Sequence, residues 1–150
     1  MRLLHRLPAV ALAAATVLSL ASCQTLGGTK AAPQDFENLK LSLTDNRNGL
    51  NRAVADGEMD RVTGYLQGLT TCFDDIWSKS SAMNLLDREH LAIELASGRR
   101  MITSVGQWVS SNDIDAVRSE MEKLNGVLGE VDTLLDHTIR AAGVDSAQAS

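Results

Sequence analysis

Two cysteines and three histidines carry most of the reactive chemistry open to this 150-residue chain. Cys23 closes the stretch LSLASCQT, directly after an apolar run. Cys72 stands far downstream, with no second cysteine at redox-motif spacing and no adjacent histidine to activate it. It reads as a small, half-buried apolar residue at the edge of a helical stripe; a redox thiol or an intermolecular disulfide is the alternative. His90 follows Asp87 by three residues and precedes Glu94 by four, which puts carboxylate, imidazole and carboxylate on neighbouring positions of one helix. A di-metal site inside a helix bundle takes Glu-x-x-His pairs from two helices and further Glu from the others. This chain has one Asp-x-x-His, and the stripe through Leu91 and Leu95 turns His90 outward. His137 falls on the outer side of the spacing Leu128, Val131, Leu135 and Thr138. No Ser-His-Asp arrangement, phosphate loop or CxxCH motif occurs. The sequence therefore predicts no enzyme, no catalytic residue, no metal site and no cofactor.

The residues around Cys23 say where that thiol is presented. The chain opens MRLLHR, with two positive charges and no acid, and Leu7 to Ala21 follow as a nearly unbroken apolar and small-residue run. A positive start, a short apolar run and a small-residue boundary define a secretory leader. The run is too short for a transmembrane helix, which needs about 20 apolar residues. Its end, Leu20-Ala21-Ser22-Cys23, resembles the lipobox of bacterial lipoproteins. That resemblance covers only the first two dozen residues. It implies that residues 1–22 are a leader removed before Cys23, and that Cys23 carries a diacylglyceryl thioether and an acylated amino group, palmitate being a typical acyl chain. More than one acyl chain is needed for stable anchoring, and this arrangement supplies three. In the same family an Asp after the cysteine favours retention at the inner membrane; Gln24 stands here, which implies the outer membrane, facing the periplasm.

Charge narrows the partners. Removal of the leader takes away Arg2 and Arg6, leaving 12 basic against 19 acidic side chains, a net charge of −7. Such a chain lacks the cations that neutralise phosphates, so nucleic acid is not an expected partner. It equally lacks a polybasic lipid-binding surface. The expected partners are the membrane, through Cys23, and another envelope protein. With Cys23 consumed by lipid, Cys72 has no partner for an intrachain disulfide, and stability must come from packing.

The elements that carry these residues are legible as stripes. QTLGGTKAAPQ, residues 24–34, reads as a flexible tether with an average reach of roughly 17–20 Å. Beyond it, apolar residues recur at spacings of three and four, the signature of amphipathic helices. The first stripe holds Phe36, Leu39, Leu43, Leu50 and Ala53; the second Met59, Val62, Leu66, Leu69, Phe73 and Ile76. The third holds Leu91, Leu95, Ile102, Val105 and Val109; the fourth Ile114, Val117, Met121, Leu124, Leu128, Val131 and Leu135. Asp56-Gly57, the serines at 78–81 and Ser110-Ser111-Asn112-Asp113 separate them, with Asn84 or Asp87 capping the third helix and Asn112 or Asp113 the fourth. Short connections make neighbouring helices antiparallel. The predicted fold is all-α: an up-down-up-down four-helix bundle over 35–143 after the leader (1–22) and the lipidated tether (23–34), with Gly143 ending the last helix and 144–150 a disordered tail.

Four-helix b-type cytochromes resemble this plan in helix order, short loops and a histidine near the end of the last helix. The resemblance is architectural, and it breaks at Leu43, where that family has its axial Met. A ligand-binding bundle holding a metal, haem or small apolar molecule, with Met59, Met101 and Met121 along its interior, is the alternative function. The leading expectation is a lipid-anchored interaction or accessory component of the cell envelope. Other polar features remain open at this level. Asn46 falls on the inner stripe of the first helix, unless the helix rotates and Arg47 takes its place. Gly64, Gly68, Gly126 and Gly129 lie off the stripes, as neutral surface or as places for a partner to approach. Glu120, Glu122, Glu130, Asp132 and Asp136 make the fourth helix acidic, either for solvent or for a basic partner.

Overall fold

The structure is a computed structural model that describes residues 31–148, with side-chain surroundings over 31–142. The fold is all-α. Helices α1 (Pro33–Asp56), α2 (Met59–Lys79), α3 (Leu85–Ser110) and α4 (Ile114–Gln148) account for nearly all of it, a 3-10 turn (Ser80–Ala82) joins α2 to α3, and no strand occurs among the described residues. The leader, Cys23, Gln24 and the first part of the tether lie outside the described residues.

Each helix end has a local cause. Pro33 opens α1 with its fixed φ, where a missing N–H does no harm, and the Asp35 carboxylate accepts from the Ala32 N–H at 3.0 Å. The last two residues assigned to the tether are therefore helical. At the other end Gly57 turns left-handed (φ 73°), its N–H reaching Val54 O while Glu58 N–H reaches Ala53 O. These two bonds form a Schellman closure. Asn112 repeats it at the end of α3: φ is 57°, its N–H meets Val109 O, and Asp113 N–H meets Trp108 O. Asn112 thus closes α3, and Asp113 caps α4 by accepting from Ala116 N–H at 3.0 Å. Asn84 caps α3, accepting from Asp87 N–H at 2.9 Å. Helix α4 continues through Gly143 to Gln148 rather than ending there. One glycine costs only about 1 kcal/mol against Ala in a helix, and the alanines at 141, 142 and 147 favour continuation.

One core lies between the four helices. Phe36, Leu43 and Leu50 of α1, Val62, Leu69, Phe73 and Ile76 of α2, Leu91 and Val105 of α3, and Val117, Leu124, Leu128, Val131 and Leu135 of α4 are essentially fully buried. Val62, Leu66 and Leu69 of α2 and, 55 residues on, Val117, Met121 and Leu124 of α4 are all buried in it. Helix α1 packs on α2 and α4, and α3 packs on α4 and, least extensively of these pairs, on α2.

Glycine decides one core contact. Gly98 is buried, and a Cβ there would sit 2.5 Å from Phe73 Cε2 and 3.3 Å from Val127 Cγ1. The bare backbone of α3 is the floor on which the Phe73 ring lies. Polar groups line the α1–α4 seam instead. Lys40 Nζ lies 2.5 Å from Asp136 and 3.6 Å from Asp132, Arg47 Nε donates to Asn125 Oδ1 at 3.0 Å, and Asn51 and Asn125 exchange hydrogen bonds at 3.2 and 2.8 Å. The Ser80 hydroxyl is buried without a partner among the described residues.

Candidate interaction surface

The residues with the best chemistry are dispersed rather than gathered. Cys72 is 2 % exposed, not half-buried at an edge, because α1 covers it; its thiol sits 3.8 Å from Leu39 O. Burial pushes that thiol up to about 11, a nearby Asp75 charge acting in the same sense and a Ser42 hydrogen bond against it. A thiol held protonated and covered is a poor nucleophile.

His90 is on the surface, its Nε2 3.5 Å from Glu94. Asp87 does not complete that cluster. It turns toward α4, where its carboxylate meets His137 Nδ1 and accepts from Asn84 Nδ2 at 2.6 Å. His137 is exposed, as its spacing predicts. No group of three side chains able to hold a metal ion occurs among the described residues. Met121 is packed in the core and Met59 and Met101 lie against it.

The polar alternatives on α1 resolve in a mixed way. Asn46 is half-buried, donates to Ser42 O at 2.9 Å, and lies over Gly68, where a Cβ would come within 2.1 Å of its Oδ1. Gly68 therefore serves a contact within the chain, while Gly64, Gly126 and Gly129 face open space. Arg47 points to Asn125. On α4, Asp132 and Asp136 meet Lys40, and Glu120 meets Lys123 at 3.0 Å, which leaves Glu122 and Glu130 exposed. The Asp136 hydrogen bond raises the Lys40 pKa above its ordinary value.

What does gather on the surface is apolar. Of the six large hydrophobic side chains exposed among the described residues, four lie at or near the α2–α3 connection: Trp77 (42 %), Leu85 (68 %), Leu86 (76 %) and Ile93 (65 %). Leu86 and Ile93 are seven residues apart, so they share a helical face. Leu85 is three residues before Arg88, whose guanidinium stacks 5.4 Å from the Trp77 ring centroid. Below them a shallow groove between α2 and α3 is lined by Trp77, Ala92, Leu95, Ala96 and Arg99. Small Ala92 and Ala96 leave it unfilled. Exposed large apolar side chains concentrated at one end of a molecule are candidates for a contact surface. Sequence reading passed over it, although a signal existed: Leu85, Leu86 and Ile93 are large apolar residues off the Leu91–Leu95–Ile102 stripe.

No helix among the described residues is long and apolar enough to cross a membrane. No protein-family model, curated protein or solved structure matches the chain.

Proposed function

We propose that this chain is a lipid-anchored, periplasm-facing lipoprotein that acts as an interaction or accessory component of the cell envelope. The observation that carries the reading is the sequence Leu20-Ala21-Ser22-Cys23 at the end of a positively headed apolar run, followed by a short polar tether. Domain architecture supports it: helix begins at Pro33, ten residues past the anchor, and the described helices bury their apolar stripes among themselves. An up-down-up-down antiparallel bundle is the topology we infer. Its support is the reversed order of paired positions, Lys40 with Asp136 and Asn51 with Asn125, and Asp35 with Lys79 while Leu39 meets Cys72.

In this reading the thioether on Cys23 holds the bundle at a leaflet, and Gln24 directs it to the outer membrane. The role is to present a packed, acidic helical surface within a short tether's reach of the membrane for another envelope protein. Replacing Cys23 with Ser tests the address. Membrane fractionation should move the protein from the membrane to the soluble periplasmic fraction, and mass spectrometry should lose the acyl mass from the mature amino terminus. An unchanged fractionation would refute lipid anchoring.

A further inference from the structure

We propose that the exposed corner formed by Trp77, Leu85, Leu86 and Ile93 rests on the same lipid bilayer that carries the anchor. The inference depends on the lipid anchoring proposed above and adds a second, non-covalent contact that fixes how the domain sits.

Position is the first argument. The corner lies at the end of the molecule from which the tether departs. Asp35, in the first turn of α1, reaches Lys79 only two residues beyond Trp77, and Phe36 lines a recess with Met83 and Asn84, next to Leu85. The two tight turns, Gly57 and Asn112, come together at the opposite end. Ten residue steps separate Cys23 from Pro33. Fully extended they span about 33–36 Å, and as a flexible coil about 16–19 Å. Helices are about 10–12 Å across, so no point on this end is beyond reach of the bilayer.

Chemistry is the second. Leu85, Leu86 and Ile93 offer aliphatic side chains to the acyl boundary, and indole rings favour the headgroup level, where an apolar body and a polar N–H are both satisfied. The nearby charges are mixed: Lys79, Arg88, His90 and Arg99 stand among Asp74, Asp75, Asp87 and Glu89. Contact therefore comes from apolar insertion, and anionic lipid is not required.

The two tryptophans make the test internal. Trp108 is 41 % exposed but sits in the last turn of α3, about 35 Å along the helix from Leu85. The mature acylated protein is reconstituted into phosphatidylcholine vesicles with and without brominated acyl chains, as Trp108→Phe and, separately, Trp77→Phe. Flotation is measured on the same samples. The expected result is emission from Trp77 quenched at least about twofold by bromination, as for a residue at the interface, with Trp108 unaffected. Leu85→Glu with Leu86→Glu, both exposed positions, should abolish that quenching while flotation and helical circular dichroism persist.

Failure to float would overturn the anchor and this proposal together. Flotation without Trp77 quenching would overturn the proposal alone, as would equal quenching of both tryptophans. A Trp77 blue shift that grows with protein density and ignores bromination would assign the corner to a second copy of the chain, again against the proposal.

Discussion

Substituting Gly98 with Ala should destabilise this protein, although the same change in a helix usually helps. A Cβ at position 98 would lie 2.5 Å from Phe73 Cε2, 2.8 Å from Cζ and 3.3 Å from Val127 Cγ1. Phe73 is fully buried and Val127 nearly so, which leaves the ring nowhere to swing. Overpacking of this kind costs about 1–3 kcal/mol. The helix gains up to about 1 kcal/mol from losing a glycine, so the net loss is up to about 2 kcal/mol. Gly126→Ala is the control, because nothing lies within 4 Å of a Cβ there; it should gain about 0.5–1 kcal/mol. Urea unfolding followed by far-ultraviolet circular dichroism separates the two, and thermal midpoints should move in opposite directions by about 4 °C per kcal/mol. Equal stabilisation by both substitutions would refute the packing argument, since Phe73 would then not depend on a bare α3 backbone.

Cys72 should resist alkylation by iodoacetamide at pH 8 in the folded protein and react fully in denaturant. Its raised pKa also gives a signed pH effect: below the ordinary value of 9.0 both states keep the proton, while between 9.0 and about 11 only the unfolded thiol ionises. Stability should therefore fall through that window by on the order of 2 kcal/mol, and Cys72→Ala should remove this part of the slope in urea titrations at successive pH values. Ser80→Ala should raise the thermal midpoint, because an unsatisfied buried hydroxyl costs about 1–3 kcal/mol; a fall would mean the hydroxyl has a partner. Asp113→Ala should cost about 1 kcal/mol through loss of the α4 cap, measured by urea unfolding, with Asp113→Ser recovering most of it.

The all-α fold was legible because each helix keeps its apolar residues at three- and four-residue spacing, and burial of Leu43, Leu69, Leu91 and Leu128 follows directly from that phase. Turn chemistry was legible only to a choice of two residues. Asn112 and Asp113 are both capping types, and deciding that one closes α3 while the other opens α4 needs the backbone dihedrals. Gly98 escaped notice because its role is set by Phe73, distant in sequence. Asp87 was grouped with His90 on spacing alone, yet a helix surface offers neighbours from the next helix too, and His137 takes it. Asp132 and Asp136, similarly, looked free for a partner because Lys40 lies nearly a hundred residues away. The apolar corner shows the converse: a stripe search finds what is inside, and passes over large hydrophobics that fall outside it.

The α1–α4 seam has a consequence for biogenesis. Lys40, Arg47 and Asn51 find their polar partners in α4, the last of the four described helices to be synthesised. A chain emerging amino-terminus first during synthesis would leave those groups to water until Asn125, Asp132 and Asp136 emerged. Assembly of the four helices would then be completed by the arrival of α4, and a product truncated before it would lack the helix that closes the seam.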